Sequence, residues 1–282
     1  MRNIQRLLLL ALVSIAPACS DDAKDAPTPD AGSPAVAAVS LSTANSLGAH
    51  LVDKDGKTLY FYVKDVAGSG VSTCTGACLT TWPAADLKSP TVVGDGLTAA
   101  DFGTTTAGGQ TTWKGRPLYT YSMEASATSA TGEAKGGIWF VARPYNLFLA
   151  SVANGLKIPQ GATTTDAPFI TNGAGRSLYI FKNDTRGTAS VQPKNTCTAD
   201  AVCGPKWPIW EKPATLDLTK IVLPSTIPAT DVTTITVGTQ QQFVYKGWTT
   251  YFFAADAKPG DIAGANVALW YAVNPAFNGP LP

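Results

Sequence analysis

The sequence predicts an all-β protein in which one antiparallel unit occurs twice in tandem, as a sandwich or a barrel-like core, stapled by two local disulfides. Three observations predict it. Short segments rich in Tyr, Phe, Trp and β-branched residues alternate with a period of two, the pattern of strands. The same landmarks recur in the same order in both halves of the chain. Four of the five cysteines form two close pairs, Cys74/Cys78 and Cys197/Cys203, and an even set in an exported chain reads as disulfides.

Export is read from the start of the chain. Residues 1–18 form a secretory signal: Arg2 and Arg6 supply the charged start, and Leu7 to Val13 is an uncharged apolar run. The run is too short to span a bilayer, which takes about 20 apolar residues. Ala16-Pro17-Ala18-Cys19 resembles the bacterial lipobox, in which the cysteine is acylated and becomes the first mature residue. The resemblance implies lipid on Cys19 and, through several acyl chains, a firm anchor. Ala16 stands where Leu is usual, and Pro17 is also a departure. Ser20 after the cysteine favours the outer membrane of a bacterial envelope. Residues 19–39 then read as lipidated cysteine and disordered linker, because Ser, Asp, Ala, Pro and Thr cannot bury enough apolar surface to offset ordering.

The two units span residues 40–145 and 166–278, joined by a packed connection over 146–165. Each unit holds two copies of one short pattern, a Tyr, an aromatic two residues on, and an acid five residues after the Tyr. The copies are Tyr60, Tyr62 and Asp65; Tyr119, Tyr121 and Glu124; Tyr179, Phe181 and Asp184; and Tyr251, Phe253 and Asp256. After the first and third copies come a cysteine pair and Trp-Pro, at Trp82-Pro83 and Trp207-Pro208. Before the second and fourth comes aromatic-Lys-Gly, at Trp113-Lys114-Gly115 and Tyr245-Lys246-Gly247. A Trp strand ending in Pro closes each unit, from Trp139 to Pro144 and from Trp270 to Pro275. The separations grow from 119 residues between Tyr60 and Tyr179 to 131 between Trp139 and Trp270, as expected of a duplication with small loop insertions.

These landmarks resemble a bacterial family of secreted-repeat lipoproteins described by a Tyr-x-(Phe/Trp/Tyr)-x-x-Asp motif, over about residues 40 to 278. Glu124 replaces the usual Asp, Thr249-Thr250 replaces the Pro-Leu seen at Pro117-Leu118, and the second cysteine pair is more widely spaced than the first. The resemblance implies fold and address. The family has no settled activity, so it implies no reaction.

In Tyr60-Phe61-Tyr62 both faces are aromatic or apolar, so this strand is expected to be covered on both sides. Asp55-Gly56, Gly108-Gly109 and Asn172-Gly173 are turn signals, and each Lys-Gly is expected to turn the chain into a Tyr strand. About six strands per unit and one short helical turn near Cys74 to Thr81 complete the expectation. Each disulfide closes a short loop, worth ~2 kcal/mol in the chain-entropy model, and pins the loop that carries Trp82 or Trp207.

Chemistry is sparse. Paired carboxylates could act as acid and base, but an acid repeated at every equivalent position reads as architecture, capping the turn after each strand with a Tyr hydroxyl as a second partner. The cysteine spacings are neither C-x-x-C nor haem motifs, and no set of metal ligands is legible. His50 is the single histidine, with no nucleophile elbow to serve. No cofactor or metal is therefore expected. The precursor carries +1 and no basic stripe, which argues against nucleic acid. Among seven Trp, Trp82, Trp139, Trp207 and Trp270 repeat and are expected in the core. Trp210 and Trp248 do not repeat and are expected to be freer to meet a ligand at the surface. The leading expectation is a non-catalytic binding module on a membrane stalk, with an unidentified envelope or extracellular ligand or protein. An accessory of extracytoplasmic electron transfer comes second, and a hydrolase using the repeated acids third.

Overall fold

The computed structural model describes residues 37–88, 92–127, 129–151, 156–157, 163–164, 167–197 and 203–282. The signal segment, Cys19 and most of the linker lie outside the described residues. Residues 36–282 gather into one compact unit.

The strands are short and every pairing between them is antiparallel. They form two- and three-stranded sheets, linked by isolated bridges such as Tyr60 to Tyr119 and Tyr179 to Tyr251. In the first half Val39–Ser42 pairs with His50–Asp53, and Tyr60–Tyr62 pairs with Trp139–Val141. Phe102–Thr104, Thr111–Trp113 and Arg116–Pro117 make a meander. The second half repeats all three: Leu147–Ser151 with Pro168–Asn172, Tyr179–Phe181 with Trp270–Ala272, and the meander Val232–Val237, Gln240–Tyr245 and Trp248–Thr249. Seven strands therefore recur per half, one more than the sequence suggested. In the second half one of the seven, Leu147–Ser151, lies within the stretch expected to be a connection. Its run of buried Leu and Phe is a strand of the second half, which begins well before residue 166.

Turn chemistry sets the meanders. Lys114 and Gly115 have φ of 49° and 74°, and Lys246 and Gly247 have 47° and 84°. Positive φ at both central residues is the two-residue hairpin geometry whose twist matches the flanking strands. The only α-helical segments among the described residues are Ala77–Thr81 and Cys203–Lys206. Each lies beside a disulfide, Cys74–Cys78 and Cys197–Cys203. In each, the carbonyl of the second cysteine accepts the N–H of the tryptophan four residues on, Trp82 or Trp207, at 2.8 Å. The sequence between cysteine and tryptophan thus delivers the indole to the core.

One apolar cluster runs through both halves, from Leu51, Phe61 and Trp113 to Ile180, Trp210 and Phe243. Each half also has its own aromatic cluster, around Tyr60, Trp82 and Trp139 or around Tyr179, Trp207 and Trp270. Two glycines in matching places make these clusters possible. A Cβ on Gly264 would lie 2.7 Å from Tyr179 Cζ and 3.0 Å from Trp207 Cη2; one on Gly132 would lie 2.8 Å from Tyr60 Cζ and 2.8 Å from Trp82 Cη2. Overpacking a rigid core costs about 1–3 kcal/mol. We expect Gly264→Ala and Gly132→Ala each to destabilise by about 2 kcal/mol in urea unfolding, whereas Gly279→Ala, whose Cβ would meet only Phe277 at 3.9 Å, leaves the midpoint unchanged.

Candidate functional site

The four motif copies pair across each half. Tyr60 and Tyr119 exchange backbone hydrogen bonds of 2.8 and 3.0 Å, and Tyr179 and Tyr251 exchange two of 2.9 Å. All four side chains are fully buried. Each acid begins a turn in the same way, its N–H donating to the carbonyl of the aromatic three residues before it. The hydroxyl–carboxylate pairs then cross over. Tyr60 donates to Glu124 and Tyr119 to Asp65; Tyr179 donates to Asp256 and Tyr251 to Asp184, at 2.6 and 2.7 Å. Every tyrosine thus reaches the acid of the other copy in its half.

The remaining acceptor sites of the acids are filled locally. Asp65 accepts from the Thr73 N–H and hydroxyl, both at 2.7 Å, and Asp184 from the Thr196 N–H and hydroxyl, both at 2.8 Å, and from the Thr249 hydroxyl. Glu124 accepts from Ser129 and Thr131, and Asp256 from the Ala263 N–H. Burial raises Asp65 and Asp256 above the usual carboxylate range despite these donors. Glu124 also meets desolvation, but the hydroxyls of Ser129 and Tyr60 and the Thr131 N–H outweigh it and hold it below that range. Burial, reinforced by the adjacent acid, pushes each of the four tyrosines well above an ordinary phenol. The motif is chemically a set of clasps: neutral phenols locked onto carboxylates.

Beside the clasps the other motif aromatics stack. Tyr62, Trp139, Trp82 and Tyr121 form one column with centroid separations of 4.2, 3.9 and 4.4 Å. Phe181, Trp270, Trp207 and Phe253 form its counterpart at 4.5, 3.6 and 4.4 Å. His50 is buried; its Nδ1 donates to the Gly48 carbonyl at 2.8 Å, which leaves Nε2 to accept from the Asn45 amide at 3.2 Å. That is a satisfied structural histidine. Among the described residues no group of three or more His, Cys, Asp or Glu is placed to hold a metal, and no helix is long and apolar enough to cross a membrane.

Trp210 and Trp248 are not surface platforms. Trp210 is buried in a 3.9 Å stack on Phe243, and Trp248 is buried with its Nε1 donating to the Gly279 carbonyl at 3.2 Å. Both sit where the first half has different residues, Ala85 and Arg116 in the register of the duplication. Their lack of a repeat reflects divergence inside the shared core, not exposure.

Trp210 nevertheless lines a cleft of about 800 Å³ where the halves meet. The first half contributes Phe61, Trp113, Lys114, Arg116, Arg143 and Pro144; the second, with the residues that lead into it, contributes Tyr145, Asn146, Phe148, Asn172 to Ala174, Trp210, Glu211, Phe243 and Phe252. The sequence reading missed this site. Arg116 and Arg143 look like ordinary isolated cations there, and the only hint is that their counterparts in the second half are Trp248 and Asn274.

A family model described as a secreted repeat of unknown function matches residues 42–86 and 233–274. The first stretch includes Tyr60, the Cys74/Cys78 pair and Trp82; the second includes Lys246-Gly247, Tyr251 and Trp270. The match marks a secreted repeat and places the chain outside the cytoplasm. No curated protein and no solved structure matches the chain.

Proposed function

We propose that the protein is a lipid-anchored, extracytoplasmic binding module without catalytic activity, tethered through Cys19 to the outer membrane and holding its ligand in the cleft between the two halves. The cleft carries this reading. It is concave, large enough for a small molecule, and walled by aromatic faces with a few charged groups among them, the usual make-up of a ligand site. The repeated acids support a non-catalytic role, since each is engaged by a buried tyrosine and by local donors. An accessory role in envelope electron transfer draws support from the two stacked columns of rings, but it leaves the cleft without a purpose.

The test is native mass spectrometry of full-length protein extracted from membranes, beside Cys19→Ala and Ala174→Trp, which places an indole at the cleft. The expected wild-type spectrum shows an acylated N-terminal Cys19 and a small-molecule adduct. Cys19→Ala should leave the membrane fraction, and Ala174→Trp should stay anchored but lose the adduct. A soluble, unacylated wild type would overturn the tether, and an adduct retained in Ala174→Trp would move the binding place elsewhere.

A further inference from the structure

We propose that the cleft binds a small organic carboxylate with a flat apolar body, held by Arg116, Arg143 and the Trp113 indole N–H. This deepens the binding reading above and rests on it. Among the described residues five buried side-chain polar atoms have no hydrogen-bond partner, and three of them, Trp113 Nε1, Arg116 Nη2 and Arg143 Nε, belong to residues that line this one cleft. All three are donors. Buried polar groups in native proteins are nearly always paired, so a cluster of orphans needs a cause, and donors without acceptors call for an acceptor-rich partner.

Charge gives the sign of that partner. Arg116 is 4% exposed, and neither guanidinium has an ion-pair partner among the described residues. Arg116 donates to the Asp65 backbone carbonyl at 3.3 Å and lies over the Phe148 ring at 4.7 Å. Those contacts position it, and the Asp65 carboxylate, taken up by Tyr119 and Thr73, acts on it through space but makes no ion pair with it. Lys114 at the rim is already paired with Asp101 at 3.9 Å, and the one carboxylate of the lining, Glu211, accepts from Gln240 at 2.7 Å. A buried charge with no hydrogen-bonded counter-ion is costly, and the fork of a guanidinium matches a carboxylate or another planar oxyanion. The walls decide the rest of the ligand. Trp113 lies against Phe61 at 6.0 Å and Trp210 against Phe243 at 3.9 Å, so the body that enters between them is flat and apolar.

The duplication supports the assignment independently. What is architectural here occurs twice: clasps, columns, disulfides, hairpins. The two cleft arginines occur once, whereas Lys114 has its counterpart in Lys246. Where the first half has Arg143 the second has Asn274, whose side chain is engaged by Pro168 and Ala276. Where it has Arg116 the second has Trp248, packed in the core.

Titration of the full mature chain with 2-naphthoate, its neutral counterpart 2-naphthamide and inorganic phosphate, followed by tryptophan fluorescence and calorimetry, tests the proposal. The expected result is saturable quenching by 2-naphthoate, with 2-naphthamide weaker by about tenfold or more, the scale of a charge-assisted hydrogen bond, and phosphate weaker still. Arg143→Gln should lose the preference for the acid over the amide. Arg143 is only partly buried, so this variant keeps the test open if Arg116→Gln fails to fold. Equal binding of acid and amide, unchanged in Arg143→Gln, would overturn the anion assignment while leaving a binding cleft. Phosphate matching 2-naphthoate would overturn the flat apolar body. Binding of none of the three would overturn this inference together with the cleft's role in binding.

Discussion

Replacing Asp184 by Ala is expected to destabilise the protein by about 4 kcal/mol, as the sum of buried donors left without an acceptor. Asp184 accepts from Tyr251, Thr249 and twice from Thr196. Tyr251 and Thr249 are fully buried, so water cannot replace the carboxylate for them, and an unsatisfied buried donor costs about 1–3 kcal/mol. Thr196 is exposed and adds little. Asp184→Asn keeps one acceptor oxygen and should cost about half as much. Tyr251→Phe removes one of the orphaned donors, so the double variant Asp184→Ala/Tyr251→Phe should be less damaged than the sum of the two singles. Urea unfolding of the four proteins gives all of these values. The result also bears on function: an acid kept for chemistry would be removed with little loss, or a gain, of stability. An unchanged midpoint in Asp184→Ala would sink the clasp reading and return the hydrolase to consideration.

The sequence made the repeated parts readable because repetition separates architecture from chance. Each Lys-Gly turn and each cysteine pair before Trp-Pro occurs twice in register and becomes a hairpin or a disulfide loop; of the four Tyr-x-aromatic segments the first and third become strands, and the second and fourth meet them only through isolated bridges at Tyr119 and Tyr251. What the repeat could not convey is which copy meets which. The crossing of Tyr60 to Glu124 and Tyr119 to Asp65 depends on a pairing between segments 59 residues apart. Alternation along a single strand carries no such information. The two unrepeated tryptophans show the opposite error. Divergence reads as exposure in the sequence, yet the core shared by the two halves takes different residues on its two sides, and Trp210 and Trp248 fill it. The same divergence carries the cleft, where Arg116 and Arg143 lack counterparts, but a lone arginine in a sequence has no signature of burial.

Alkaline pH should unfold the protein far more steeply than acid. The four clasp tyrosines are fully buried and donate to carboxylates, and burial raises all four well above the phenol value of 10.0. A raised pKa in the fold means that the stability it represents is fully present below the unfolded value of about 10 and is lost as pH climbs above it. Each group then contributes at most about 1.4 kcal/mol of loss per pH unit. Four acting together approach ~5 kcal/mol by one unit above that value, comparable to the whole stability of many domains. On the acid side the terms oppose one another. Glu124, held low by its donors, loses stability as pH falls through its folded value, whereas Asp65 and Asp256, raised by burial, gain stability over the same descent. Circular dichroism and tyrosinate absorbance recorded on one alkaline titration distinguish the possibilities. Tyrosinate should appear in a single cooperative step that coincides with loss of the fold. A gradual rise in absorbance beginning near pH 10 with the fold intact would mean that the clasps open to solvent one at a time, and the motif would then be a surface feature rather than the lock of each half.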